Sequence, residues 1–398
     1  MIINNIIIFL SILFIESNLI FPRAYPYLKL INLIFLLIFI LCKNNFKIDK
    51  NILFFFIQIS LINLFGVFVG LVYNNNFEFI WDGIRLGIIF QLIIAVLWSG
   101  LLSFNYKIFL TIAIKTALGV IFIISVISVI QEYTEVQFFS DSFIKENGIR
   151  AGIRNGFVQL TAGSIGSLFF ISGYLIYYYF YSYQIKFYDK IVLVLLLATV
   201  FLSGRRALEF IVILSPLLLK FNNFLFNVNN NKVLFYYFKI LFPFFLVIIV
   251  IMYHFDILYL DDIYNRFISA FSGVDDRHSQ IFILLNGFIN FPIFGSGIGG
   301  VLDYEGRGPT NNFELSYLQI LFNFGIFGCI LYAIVFFIQL YNIRLKSKNY
   351  IYSIEDKSLL NGVLFLIIGS FTNPYLSSFD FLFFLGAIPF INSIHNND

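Results

Sequence analysis

Apolar residues along this chain come in long runs separated by short polar stretches. A helix that crosses a bilayer needs about 20 mainly apolar residues, fewer where its ends dip or flanking side chains snorkel. Runs of this kind lie near 2–22, 27–42, 51–73, 84–103, 108–131, 157–183, 189–203, 207–220, 233–253, 314–341, 359–373 and 378–394. They predict an all-α fold: a polytopic transmembrane helix bundle of about 12 spans, with residues 1–398 forming a single integral membrane domain. The opening MIINNIIIFLSILF has no basic n-region and no small-residue cleavage site, so it is expected to be a retained first span. No internal repeat is evident.

Composition sharpens this picture. The chain is 60% hydrophobic and only 12% charged, against about 25% charged in soluble domains. So few charges leave too little polar surface to cover a soluble fold, and a bilayer must take up the remainder. Cys42 and Cys329 both fall within apolar runs, which suggests neither a disulfide framework nor a metal site. No Ser/His/Asp arrangement and no nucleic-acid signature stands out.

The basic residues set an orientation. With the N-terminus in the cytoplasm, the inner loops collect Lys43, Lys47, Lys50, Lys107, Lys186, Lys190, Lys220, Lys232, Arg344, Lys346, Lys348 and Lys357, as the positive-inside rule demands. Both termini are then cytoplasmic. Arginine behaves differently: Arg150, Arg154, Arg205, Arg206, Arg266, Arg277 and Arg307 fall on or beside outer loops. Topology alone does not favour arginine there. A planar guanidinium binds phosphate or carboxylate bidentately and stays charged, so an anionic ligand handled on the outer face is one explanation. Pairing with Asp141, Asp275, Asp276, Glu305 or lipid headgroups is the other.

Two outer loops exceed hairpin length, 132–156 and 254–313, and long loops are the default functional surfaces. In the second, Ile281, Leu284, Leu285, Phe288 and Ile289 recur at helical spacing, with Gln280, Asn286 and Asn290 elsewhere on the wheel. This predicts an amphipathic helix on the outer interface, with Arg277 and His278 at its start and Pro292 and the following glycines ending it. GSGIGG follows no predicted strand, so a tight turn is expected there rather than a nucleotide loop. The SGRRA turn at 203–207 lies between two short spans, which should draw it below the outer surface and place Arg205 or Arg206 in a cavity. Snorkelling to headgroups is the alternative. Glu314 heads an apolar helix, where it either complements the helix dipole or acts as a general base, with Asp276 and His278 as rivals.

Four of these segments resemble the O-antigen polymerase and O-antigen ligase superfamily of bacterial polysaccharide enzymes. FLSGRRAL resembles that family's outer Ser-Arg hairpin, with Arg205 at the family arginine and Gly204 where serine is usual. DDRHSQIFILLNGFINFPIFGSGIGG resembles its arginine, amphipathic helix and P-x-x-G-x-G turn, with Arg277 as the arginine. ELSYLQILFNFGIFG resembles the start of the next span, and TNPYLSSFDFLFF the outer turn before the last. The match covers the C-terminal half; the N-terminal spans share only topology. Ligases usually carry His-Asn where this chain has Glu314 and Leu315, which favours a polymerase.

The resemblance implies glycosyl transfer outside the cytoplasmic (inner) membrane. A growing glycan would leave its undecaprenyl diphosphate for the non-reducing sugar of a new lipid-linked repeat unit. Arg205 and Arg277 would hold the diphosphate; Glu314, or else Asp276 or His278, would orient or deprotonate the acceptor. Arg206, Arg150, Arg154 and Arg307 would guide phosphate or acidic sugar. No cofactor and no metal is expected, since arginines neutralise a diphosphate unaided. Expected partners are the undecaprenyl-diphosphate-linked oligosaccharide, the bilayer and, by analogy, a chain-length regulator, but no nucleic acid. The rivals are an O-antigen ligase and a lipid-linked oligosaccharide flippase. A flippase would use charges deep within spans, for which Lys115 and Arg85 are the candidates.

Overall fold

The computed structural model describes residues 2–22, 24–43, 47–102, 106–134, 136–154, 157–182, 187–228, 276–304, 308–311, 313–371, 373–375 and 378–394. Among them the protein is a helix bundle with two small β-hairpins. Helices α1 (Ile2–Ile20), α2 (Pro26–Lys43) and α3 (Lys50–Val72) are followed by α4 (Phe77–Ile84), a π-helical turn over Arg85–Ile89, and α5 (Phe90–Leu102). Next come α6 (Tyr106–Thr134), α7 (Asp141–Asn147), strands β1 (Arg150–Arg154) and β2 (Phe157–Thr161), and α8 (Ser167–Tyr181). Then follow α9 (Phe187–Leu202), α10 (Arg206–Ile213) and α11 (Ser215–Leu225). After the undescribed segment come α12 (Asp276–Asn290), strands β3 (Leu302–Tyr304) and β4 (Gly308–Thr310), α13 (Ser316–Lys346), α14 (Ile354–Gly369), α15 (Phe379–Leu385) and α16 (Ala387–Ser393).

Among the described residues five helices are long and apolar enough to cross a membrane, or six if the bent pair α10–α11 is one span. Their outward sides are apolar as well: Phe54, Leu61 and Phe68 on α3 and Ile330, Phe337 and Tyr341 on α13 are exposed. Such helices belong in a membrane, where lipid covers what the bundle does not. The expected span 233–253 and Arg266 lie outside the described residues.

Side-chain contacts mark two distinct ends of the bundle. At one, Ser316 donates its Oγ proton to the carbonyl of Asn373 (3.0 Å) and Tyr317 its Oη proton to that of Ile367 (2.6 Å). Lys29 meets Asp380 there at 2.7 Å, and Asn147 donates to Tyr25 Oη. Gly166, just before α8, packs against Tyr375 and Phe381. At the other end Ser393 donates to Asp49 (2.8 Å) and Ser347 to the carbonyl of Leu225 (2.9 Å). Asp356 takes hydrogen bonds from Tyr106 and from the Ser353 amide in a capping box. Lys43, Lys47, Lys50, Lys107, Lys190, Arg344, Lys346, Lys348 and Lys357 lie at or near this second end, the lysine end. The two β-hairpins mark the first, the hairpin end.

Several boundaries differ from the sequence expectation. The span expected over 157–183 begins as β2 and a 3-10 turn (Gly163–Gly166); its helix starts only at Ser167. Strand β1 pairs antiparallel with β2 in a register that runs from Arg150 opposite Thr161 to Arg154 opposite Phe157, and the sequence between them reads Asn-Gly. Asn-Gly is the strongest short hairpin signal, and the run of apolar residues had obscured it. The span expected over 207–220 is two helices bent by 55°. Pro216 near the start of α11 explains the break, having no N–H to continue the ladder. The last span divides likewise at Gly386, whose Cα lies too close to Trp98 for any side chain.

Candidate functional site

The loop after α12 is held by backbone hydrogen bonds on two sides. Gly295, Gly297 and Gly299 all have positive φ (74°, 78° and 85°), a region open to glycine at no steric cost. They thread the loop into a break in α13. Gly325, about 14 Å along that helix at 1.5 Å per residue, is non-helical at φ 62° and ψ −169°. Breaking the helix there frees backbone groups, and the loop takes them up. Ser296 N–H donates to the carbonyl of Phe322 (2.9 Å) and Gly297 N–H to that of Asn323 (3.0 Å). The carbonyls of Pro292 and Ile293 accept from Ile326 (2.9 Å) and Phe327 (3.0 Å). On the opposite side Ile298 N–H donates to Gly66 (2.9 Å), while Asn75 Nδ2 donates to the carbonyls of Ser296 (2.9 Å) and Ile298 (3.1 Å). The irregular backbone thus enters the bundle with its polar groups paired, as membrane depth requires. GSGIGG is a turn, as its sequence context suggested.

This docking fixes α12 against the head of α13. Leu284 is buried with Phe313, Leu315 and Phe322, and Gly287 leaves no room for a side chain beside Phe322 and Leu302. The predicted amphipathic helix is therefore present, but one face packs on protein while Phe282 and Ile289 stay exposed. Gln280, expected among the polar positions of the wheel, is 1% exposed. Its Oε1 accepts the backbone N–H of Glu314 at 2.9 Å. Glu314 itself is half-buried and lies two residues before the first residue of α13, so that helix's first turn holds no acid. Asp276, Arg277 and His278 form the start of α12; their side chains lie outside the described residues, as do Arg307 and the side chain of Arg154.

Arg205 occupies the turn between α9 and α10. Gly204 before it is left-handed (φ 57°), and Ser203 is 1% exposed, so the turn sits inside the bundle rather than on its rim. Helix α9 has 16 residues, about 24 Å of rise, short of a core of about 30 Å. The Arg205 side chain is half-buried, and its Nε is buried with no hydrogen-bond partner. A buried donor without a partner costs free energy, and an ionisable side chain at membrane depth is a candidate for function. Arg206 is half-buried in the first turn of α10, and Arg150 is exposed at the start of β1. Strand β2 packs against α9, and α10 against α8 and α14. Arg150, Arg205, Arg206, Glu314 and α12 therefore share the hairpin end, although no direct contact links Arg205 to Glu314 among the described residues.

The two charges proposed for deep translocation roles are already engaged. Lys115 pairs with Asp189 at 3.1 Å and faces the rings of Tyr178, Tyr179 and Tyr188. Arg85 pairs with Asp82 on its own helix at 2.9 Å. Among the described residues no group of three or more His, Cys, Asp or Glu is placed to hold a metal ion.

Sequence reasoning missed three features. Gln280 was read as merely polar. Lys29 and Asp380, near the hairpin ends of different helices, form a pair whose side chains are 12% and 8% exposed, and nothing local announces a pair so distant in sequence. The third had a signal: Gly66 and Gly70 form a G-x-x-x-G step, the pattern that lets backbones approach closely. Comparison with known proteins adds no identity: no protein-family model matches the chain, and no curated protein does.

Proposed function

We propose that this protein is a bacterial polysaccharide polymerase of the cytoplasmic membrane, with about twelve spans, both termini cytoplasmic and the hairpin end facing outward. It transfers a growing glycan from undecaprenyl diphosphate to a lipid-linked repeat unit. The observation that carries this reading is Arg205, a half-buried side chain whose buried Nε has no hydrogen-bond partner among the described residues, at the end of the bundle that also bears α12 and Glu314. A guanidinium held in a membrane-walled, low-dielectric recess is suited to the charge that develops on a departing diphosphate. The half-buried carboxylate of Glu314 suits orientation or deprotonation of an acceptor hydroxyl. Arg277 at the start of α12 supplies a second guanidinium, and Arg150, Arg154, Arg206 and Arg307 guide acidic groups toward it.

The flippase alternative draws less support, since Lys115 and Arg85 are both occupied by carboxylates. The ligase alternative wants a histidine where Glu314 stands.

The deciding experiment supplies purified, reconstituted protein with lipid-linked repeat units and resolves the products by length. A ladder of lipid-linked oligomers is expected. Movement of unaltered repeat units across the bilayer, or transfer only to a non-lipid acceptor, would replace this reading with flippase or ligase respectively.

A further inference from the structure

Helix α12 presents one continuous stripe to the head of α13. Leu284 and Gly287 fill its lower part against Phe313, Leu315 and Phe322. One turn above, where the stripe calls for another apolar residue, the sequence has Gln280. It is as buried as Leu284, each being 1% exposed. An uncharged amide in such a place has to be satisfied, and its Oε1 takes the N–H of Glu314 at 2.9 Å. The residues around Glu314 are held from other sides too. Ser316 donates to the carbonyl of Asn373 (3.0 Å), Gln319 to that of Asn311, and Tyr317 to that of Ile367 (2.6 Å). Without Gln280 the Glu314 amide would lose the only one of these contacts that comes from α12. Moving up the helix by one more turn, about 5.4 Å, leads from Gln280 to Asp276 and Arg277.

We propose that Gln280 is a positioning residue: it locks the backbone of Glu314 to α12, so that the carboxylate and the arginine-bearing start of that helix move as one unit. The inference rests on the polymerase reading and names the residue that sets the geometry of its acceptor side. The glycine loop clamps α12 at its other end, and the Gln280 hydrogen bond adds a directional tie to the apolar packing of Leu284 against Phe313 and Leu315.

The test uses full-length protein in liposomes with lipid-linked repeat units. Gln280→Leu keeps the volume and removes the acceptor; Gln280→Glu keeps an acceptor oxygen and adds a charge. Gln280→Leu is expected to lower kcat at least about tenfold, with KM within about twofold and melting temperature near that of the wild type. Gln280→Glu is expected to recover much of that kcat. The other charged groups on elements packed there, Asp276, Arg277 and His278 on α12 and Asp303 on β3, are unchanged in both variants. A purely packing role predicts the reverse order, with Gln280→Leu tolerated and Gln280→Glu destabilised, and that result overturns the proposal. Glu314→Gln separates the levels. If wild type polymerises and Glu314→Gln does not, yet Gln280→Leu is normal, positioning alone is wrong. If wild type makes no polymer, the functional reading fails first.

Discussion

Ile298 gives its backbone N–H to the carbonyl of Gly66 at 2.9 Å, and with that bond a loop from the second half of the chain is anchored to a helix from the first. The close approach exists because Gly66 and Gly70 on the helix carry no side chains. A Cβ on Gly70 would stand 2.2 Å from the carbonyl oxygen of Ile298, and one on Gly66 would stand 2.4 Å from the ring of Phe324. The two cases differ in what must yield. A phenyl ring can tilt, whereas the loop backbone is pinned by Gly66, Asn75 and the break in α13.

Gly70→Ala should therefore be the harsher change, at the upper end of the about 1–3 kcal/mol that overpacking costs, with Gly66→Ala milder. Gly119→Ala is the control. That helical glycine has nothing within 4 Å of an added Cβ, so alanine should be neutral or stabilising by about 0.5–1 kcal/mol. Thermal unfolding in detergent ranks the three, and equal melting temperatures for Gly70→Ala and Gly119→Ala would refute the docking geometry.

Arg205 predicts an opposite pairing of stability and activity. A buried donor with no partner is a cost that folding bears, and such costs concentrate at functional sites. Arg205→Met should leave melting temperature unchanged or raised while polymer synthesis falls about 10²–10³-fold, as for loss of a charge-stabilising donor. Arg205→Lys should recover little of it, because the ammonium keeps the charge but not the fork. Chain-length analysis of the glycan together with a melting curve decides. A destabilised Arg205→Met would mean the guanidinium has a structural partner after all.

What was legible in the sequence follows from the range of the interactions involved. The apolar runs located nearly every described helix, since crossing a membrane is a local property of about 20 residues. The ends moved where local chemistry overrode hydropathy: the Asn76 cap begins α4 at Phe77, and the Ser353–Asp356 capping box begins α14 at Ile354. The short helix before Arg205 was legible in the same way, from the length of its apolar run. Gln280 was not. On a helical wheel a glutamine beside Ile281 is polar surface, and only the arrival of Glu314 from another segment makes it interior. Lys29 was similarly opaque, because its partner lies hundreds of residues away.

That Lys29–Asp380 pair yields a third prediction. Both side chains are largely buried, and Lys29 also donates to the carbonyl of Phe21 at 2.5 Å. Removing one member leaves the other largely buried charge without its counter-ion in this pair, so Lys29→Met or Asp380→Leu alone should cost about 3–5 kcal/mol. The double variant should return close to wild-type stability, since well-packed apolar replacements of a buried pair are often neutral or better. A double-mutant cycle on melting temperatures measures the coupling. Simple additivity of the two single effects would show that the ions do not act as a pair.

Orientation is the last and most consequential prediction, because the proposed chemistry depends on which end of the bundle meets the outer compartment. Lysines gather at one end and the arginine turn, α7 and the β-hairpins at the other, and basic residues retained on the cytoplasmic side fix the direction of insertion. In a Cys42→Ser/Cys329→Ser background, one new thiol can be placed at each end. Ser142→Cys lies on exposed α7 and Lys348→Cys on the exposed turn after α13. A membrane-impermeant maleimide should label the first in intact cells and the second only after permeabilisation. The opposite pattern would put Arg205 and Glu314 in the cytoplasm, where a lipid-linked glycan on the outer leaflet cannot reach them, and the polymerase reading would fall with the orientation.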